Sequence, residues 1–338
     1  MLNKNKLKEY LTNTGPKTLI KIKKFVRESK AELDYKSFGH LNKDKIFYVI
    51  RRYPSAGLFS NITFVLNHLR LSDEANFIPI IDMENYPSLY NENKIIKKTK
   101  NSWEYYFENL NKYSLKEVYK SKNVFLSNLV FEKDMSINIT DKKIKNYLNK
   151  IKIKKNILKK TKIFEKNFFF KKDKILGIHF RGSTYKNARG HAFPLTPQLM
   201  IKNINFLLKK FKYNKIFIVT EEDKYLKILQ KEFKDICISY PSFRMNNIDS
   251  FKIYPRMNHR YLLGEEILIE TLLLSKCDGL TFIKSNVISA AINFSKKKQN
   301  LHETFLGLNS RNRFVSKYLW KIKSKLPSSL GGLSLKYK

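Results

Sequence analysis

Ile175-Leu176-Gly177-Ile178-His179-Phe180 is an apolar, β-branched run of buried-strand character, and it ends in Arg181-Gly182-Ser183, one charge followed by two small residues. Side chains alternate along a strand, so His179 and Arg181 fall on the same side of the chain. A polar loop follows, and then Thr196-Pro197 forms a helix start, with Thr as N-cap and Pro in the first turn. Beyond it the pattern alternates: strand over 215–219, helix over 223–233, strand over 236–240, helix over 264–275, strand over 279–283 and helix over 287–294. Strands of five or six residues separated by helical stretches specify a doubly wound α/β domain, which binds ligands in the crevice outside the carboxyl ends of its strands. His179 and Arg181 stand at such an end.

Upstream, Lys45 to Ile50 reads as a buried strand, 61–73 as a helix with Ile62, Val65, Leu66 and Leu69 at helical spacing, and Phe77 to Asp82 as a second strand. That is the unit from which another parallel sheet is built. The predicted organisation is a basic arm over 1–44, an N-terminal α/β domain over 45–140, a C-terminal nucleotide-binding α/β domain over 141–308, and a basic tail over 309–338. The second domain is led in by 142–174, which carries 14 Lys against Glu165 and Asp173.

The 338 residues carry 67 Lys and Arg against 29 Asp and Glu, a net charge of +38. Such an excess raises nucleic acid, anionic lipid and phosphorylated substrates as partners, and an AT-rich coding bias produces the same surplus of Lys together with Asn, Ile, Tyr and Phe. Charge alone does not rank them. Cys237 and Cys277 each lie in an apolar run, with neither a disulfide framework nor a CxxC metal site, which fits a reducing cytoplasm. The basic N-terminus is not followed by a signal-peptide apolar core, and no run approaches the ~18 apolar residues that span a bilayer. No Asp-x-Asp closes a strand and no His or Cys cluster has ligand spacing, so no metal is expected.

The stretch Gly177 to Tyr185 resembles the nucleotide-binding signature of the GDP-fucose-dependent fucosyltransferases, the superfamily of α-1,6-fucosyltransferases, nodulation fucosyltransferases and protein O-fucosyltransferases. Further segments agree in order: Gly57-Leu58-Phe59-Ser60-Asn61 is similar to an early glycine-asparagine loop, and Ser102 to Phe107 to an aromatic segment. Ile216 to Glu222 is similar to a strand ending in Thr-Asp-Asp, and Leu268 to Asp278 followed by Ser285-Asn286 to the helix, strand and Ser-rich loop that close the nucleotide site. The likeness spans about 46–294. It implies a GT-B-like fold, two Rossmann-like domains facing across a cleft, and an inverting, metal-independent glycosyltransferase that moves fucose from GDP-fucose to a glycan of surface polysaccharide or glycolipid biosynthesis.

The resemblance also assigns roles. Arg181 is the catalytic residue that neutralises charge on the departing diphosphate, His179 contacts the nucleotide, and Glu270 reads the guanine edge. Ser285 and Asn286 hold the diphosphate, with Glu221 and Glu222 nearby, and Gly57, Phe59, Ser60 and Asn61 contact the sugar or phosphate. The pattern departs at Thr184 and Tyr185, where the family has an acidic and in some members a basic residue, and at Glu221-Glu222. His191 is then the nearby side chain with a pKa suited to deprotonating a sugar hydroxyl. Two other classes remain open at this level, a polyanion-binding protein and a catalytically weak nucleotide-sugar binder. No RRM, KH or helix-turn-helix signature accompanies the charge, so no specific nucleic-acid partner is expected. In the tail, Val315, Leu319, Ile322 and Leu326 form one apolar stripe among eight bases over 311–338, a candidate interfacial helix that predicts a peripheral place on an anionic inner membrane face.

Overall fold

The first sheet grows from two apolar four-residue strands, β2 (Phe47–Ile50) and β3 (Ile78–Ile81), paired in parallel with Phe47 opposite Ile78. The helix between them, α1 (Leu58–Ala75), ends at Asn76, whose left-handed backbone (φ 59°) terminates the last turn. Two short strands complete the sheet in the order β1-β4-β2-β3: β4 (Val124–Leu126) runs parallel to β2, and β1 (Asp34–Lys36) closes the edge antiparallel to β4. The computed structural model describes residues 34–54, 56–129, 142–246 and 249–335. The predicted arm over 1–44 lies for the most part outside them, as does the side chain of Thr184.

The chain divides into two compact units, one of residues 1–155 with 258–264, the other of 156–257 with 265–338. In the first, α2 (Lys142–Lys150) buries Leu148, and Lys150 pairs with Asp73 of α1. The Lys-rich stretch beginning at 142 therefore starts within this unit. The aromatic segment supplies core rather than surface: Trp103, Tyr105, Tyr106 and Phe107 are all buried, and the Tyr106 hydroxyl donates to the Tyr261 carbonyl at 3.0 Å.

The second unit is a five-stranded, wholly parallel sheet in the order β7-β6-β5-β8-β9. Its strands are β5 (Ile175–His179), β6 (Lys215–Val219), β7 (Cys237–Ser239), β8 (Gly279–Phe282) and β9 (Asn300–Glu303). α3 (Lys155–Phe168) precedes them, α4 (Pro197–Phe211), α5 (Asp223–Phe233), α6 (His259–Leu274, whose first turns belong to the first unit) and α7 (Asn286–Phe294) join them in turn, and α8 (Arg313–Lys323) follows β9. Thr196 caps α4 as its Thr-Pro pair predicts, Oγ1 accepting from the Leu199 amide at 3.3 Å. Gly177 sits at the middle of β5 because no side chain fits there. A Cβ would lie 2.7 Å from Leu280 and 3.0 Å from Cys277 Sγ, so the glycine lets its neighbours close on the strand.

The order of the sheet reverses between β5 and β8. Chain enters at the centre, moves outward through β6 and β7, and returns to the other side through β8 and β9. That reversal is the topological switch point at which open α/β sheets leave a crevice at the strand carboxyl ends.

Candidate active site

His179 is the last residue of β5 and is 3% exposed. Its Nδ1 lies 3.3 Å from the Ser285 hydroxyl, which begins α7 on the far side of the switch point. Ser285 is the N-cap of α7, accepting at Oγ from the Ile288 amide at 3.3 Å, which leaves its own proton free to go to the imidazole. Burial holds the His179 pKa well below the ordinary value, and the neighbouring Arg181 charge adds to the effect. His179 is therefore a neutral hydrogen-bonding group at neutral pH. Next to it the first turn of α7, with Asn286 exposed at its head, offers amides and a positive helix end to an anion.

Arg181 lies two residues beyond His179. Its guanidinium stacks on the Tyr185 ring at 3.8 Å, and its Nε is buried without a hydrogen-bond partner. A buried donor left unpaired costs about 1–3 kcal/mol, more for a charged group. A strand end that accepts this cost and orients the fork by stacking is prepared for an anionic acceptor from outside. His191 is exposed on the same loop, with its ring against Tyr185 at 5.2 Å. Tyr185, read from sequence only as a departure, is the surface that joins the predicted Arg and the predicted base.

Gly182 continues the strand end. Its amide donates to Glu221 at 3.1 Å, and a Cβ there would stand 2.6 Å from Glu222 Cγ. Glu222 is buried beneath it and paired with Lys186 at 3.3 Å. The Glu222 carboxylate thus packs against Gly182 and holds Lys186 of the same loop.

Glu270, on α6, is almost wholly enclosed in a polar knot that the sequence did not reveal. Its Oε1 accepts from the Ser242 hydroxyl at 2.8 Å and from Arg244 Nη2 at 2.9 Å. Arg244 also donates to the carbonyls of Thr220, Tyr240 and Ser242, tying the carboxyl ends of β6 and β7 to α6. Burial pushes the Glu270 pKa up to about 7 against the opposing pull of Arg244. One of its oxygens is therefore already committed within the protein. The signal that points to Arg244 is positional: it follows the end of a strand of the same parallel sheet, where site residues gather.

The glycine-asparagine loop belongs to the first unit. Gly57 is the N-cap of α1 with ordinary backbone angles (φ −65°), and a Cβ there would meet only the Tyr90 hydroxyl at 3.8 Å. The fold itself does not require that glycine. Ser60 and Asn61 both accept from Arg52 Nη1, at 3.2 and 3.1 Å, and Arg52 stands over the Phe64 ring at 4.9 Å. Phe59 is 3% exposed and belongs to the core. Among the described residues no group of three or more His, Cys, Asp or Glu is placed to hold a metal ion.

No protein-family model matches this sequence, and no curated protein matches it either. Solved structures do match in fold. The fucosyltransferase NodZ from Bradyrhizobium, in its selenomethionine form, superposes with a TM-score of 0.52 at 13% identity, over 78% of this chain and 95% of that one. The NodZ α-1,6-fucosyltransferase soaked with GDP-fucose gives 0.51 at the same identity and coverage. At this identity the likeness is one of fold, and two α/β units with parallel strands fit a GT-B-like architecture.

Proposed function

We propose that the chain is a glycosyltransferase that takes a guanosine-diphosphate sugar, GDP-fucose first among them, and transfers its glycosyl group to a glycan or lipid-linked glycan acceptor on the cytoplasmic side of a membrane, in surface polysaccharide or glycolipid synthesis. The observation that carries the reading is Arg181, a stacked guanidinium with an unsatisfied buried donor at the switch point of a fold like NodZ's. In this reading the diphosphate lies against Arg181 and the first turn of α7, with His179, Ser285 and Asn286 around it. The acceptor hydroxyl attacks the anomeric carbon in line and inverts it. As the bond from that carbon to the diphosphate oxygen breaks, its electron pair leaves with GDP, and Arg181 meets the growing charge in place of a divalent ion. The acceptor proton goes to His191 or to water.

Thermal denaturation with nucleotides tests the donor side, because a ligand that binds only the native state raises the melting temperature. GDP and GDP-fucose should stabilise the protein, whereas ADP and UDP at equal concentration should not. Incubation with GDP-fucose and acceptor should release GDP without added metal and in the presence of chelator, with the anomeric centre inverted in the product. Equal stabilisation by all three nucleotides, or turnover that chelator abolishes and Mn²⁺ restores, would sink the proposal.

A further inference from the structure

The last helix of the second unit carries a broad exposed surface. In α8, Ser316 is buried while Leu319 and Trp320 pack against the core of the second unit, with Trp320 Nε1 donating to the Pro194 carbonyl at 2.8 Å. This corrects the predicted stripe, since Leu319 faces inward. The opposite face is apolar and open: Phe314 is 75% exposed, Tyr318 61%, Ile322 54% and Val315 48%. At about 100° per residue these four cover roughly 100° of the helix surface. Arg313, Lys317 and Lys321 fall on the adjoining arc, Lys325 follows just beyond the helix end, and all four are exposed. No acidic residue occurs after Glu303. None of the four is in an ion pair with a described residue.

A second observation lies beside this face. Asn187 and Arg189, from the loop that carries His191, join Arg313, Ser316, Lys317 and Tyr318 around an open hollow of about 460 Å³. Three cations and three neutral hydrogen-bonding side chains converge on it, a composition suited to a phosphate group.

We propose that this face of α8 docks on an anionic lipid bilayer, with Phe314, Tyr318 and Ile322 entering the headgroup boundary and the Arg189-Arg313-Lys317 hollow receiving a lipid phosphate. Charge complementarity selects an anionic partner. The aliphatic and aromatic side chains beside the cations select a bilayer over nucleic acid, because Val315 and Ile322 offer nothing to a sugar-phosphate backbone but gain free energy on leaving water for an acyl boundary. The inference rests on the surface alone and stands or falls independently of the nucleotide-sugar reading.

Deleting the tail is not a clean test, since Leu319, Trp320 and the buried Leu333 belong to the core. Exposed point changes in the full chain are. Sedimentation with vesicles of phosphatidylcholine, with and without phosphatidylglycerol, should show binding only to the anionic vesicles and release as salt is raised. R313Q/K317Q/K321Q should weaken it on the order of 100-fold, from the usual contribution of each basic residue near an anionic surface. F314S/Y318S/I322S should also weaken binding while keeping its salt dependence. The single variant Phe314→Trp should show a blue shift of its added emission on binding. The proposal is overturned if wild type ignores anionic vesicles, if either triple variant binds like wild type with an unchanged melting temperature, or if the Phe314→Trp emission does not move. It is equally overturned if the basic triple abolishes binding to duplex DNA or single-stranded RNA while anionic vesicles compete for neither.

Discussion

Replacing Arg181 probes the reaction and the ground state at once. The side chain has one buried donor with no partner and a guanidinium held on Tyr185 at 3.8 Å, so a diphosphate that reaches it completes hydrogen bonds the protein leaves open. A hydrogen bond to a charged group contributes about 1.5–3 kcal/mol, which corresponds to roughly 10- to 150-fold in Kd. Arg181→Ala should therefore weaken GDP by about that factor in titration calorimetry. The charge on the leaving diphosphate grows toward the transition state, and removing one preorganised donor of this kind costs about 10²–10³ in kcat. That loss should appear in single-turnover transfer at saturating donor. Arg181→Lys keeps the charge but loses the planar fork and its stack, so kcat should still fall on the order of 10²-fold. Tyr185→Ala, which removes only the orienting ring, should cost less, in keeping with about 0.5–2 kcal/mol for a cation over an aromatic face. An Arg181→Ala protein with near-normal GDP affinity and near-normal transfer would refute the reasoning, because the unpaired donor would then be a structural accident.

Three further outcomes follow from the packing around that strand end. Gly182→Ala drives a Cβ to 2.6 Å from the buried Glu222, and should lower stability by about 1–3 kcal/mol in chemical denaturation. Arg244→Met removes the cation that lowers the Glu270 pKa, so Glu270 is buried as a neutral acid with the carbonyls of Thr220, Tyr240 and Ser242 left without their donor. This should cost about 1–3 kcal/mol, and a double-mutant cycle with Glu270→Leu would measure the coupling of the pair. The Glu270 carboxyl holds its proton up to about pH 7 in the folded chain, against an ordinary value of 4.5. The native state is then the more protonated one between those values, and stability should fall by about 3 kcal/mol as pH rises through the window. Glu270→Gln should flatten that slope relative to wild type.

The elements most legible in the sequence are those with a strong local pattern, an apolar run for a strand buried on both faces or a helical period for a helix buried on one. Lys215–Val219 and Asp223–Phe233 match their predicted spans because an apolar run and a 3.6-residue period are both read locally. The strands that went unread are short or lie at an edge: Val124–Leu126 is wholly buried but only three residues long, too short for a period to show. Asn300–Glu303 is an edge strand with no apolar residue but Leu301, and it joins the sheet through its backbone, a feature no side-chain pattern records. Helix α6 begins at His259, ahead of the expected 264, because its start is capped from afar, the Glu92 carboxylate accepting from the Tyr261 amide at 2.9 Å. The site divides in the same way. Ser285 entered through the family resemblance, whereas His179 and Arg181 were legible as candidates because they stand at the end of a strand. Arg244 was not, because its three carbonyl partners and its carboxylate meet only once the strands are side by side.

The buried Arg244–Glu270 pair also changes what Glu270 would do for a guanine. With Oε1 taken by Ser242 and Arg244, only Oε2 is left to accept from the base, so the reading of guanine becomes a test of charge as much as of shape. A neutral carboxyl offers a proton where the guanine edge presents only donors, and its pKa of about 7 leaves a large share of the free protein in that form at neutral pH. If guanine binds the ionised carboxylate, binding lowers this pKa and a proton must leave. GDP affinity should then rise as pH increases through about 7 and level off above it, and calorimetry in buffers of different ionisation enthalpy should record proton release. Glu270→Gln should abolish both effects together with the preference for GDP over ADP. A GDP affinity that is flat across this range, or a binding reaction that takes up protons, would remove Glu270 from the nucleotide site and leave it as the partner that holds Arg244, and with it the ends of β6 and β7, in place.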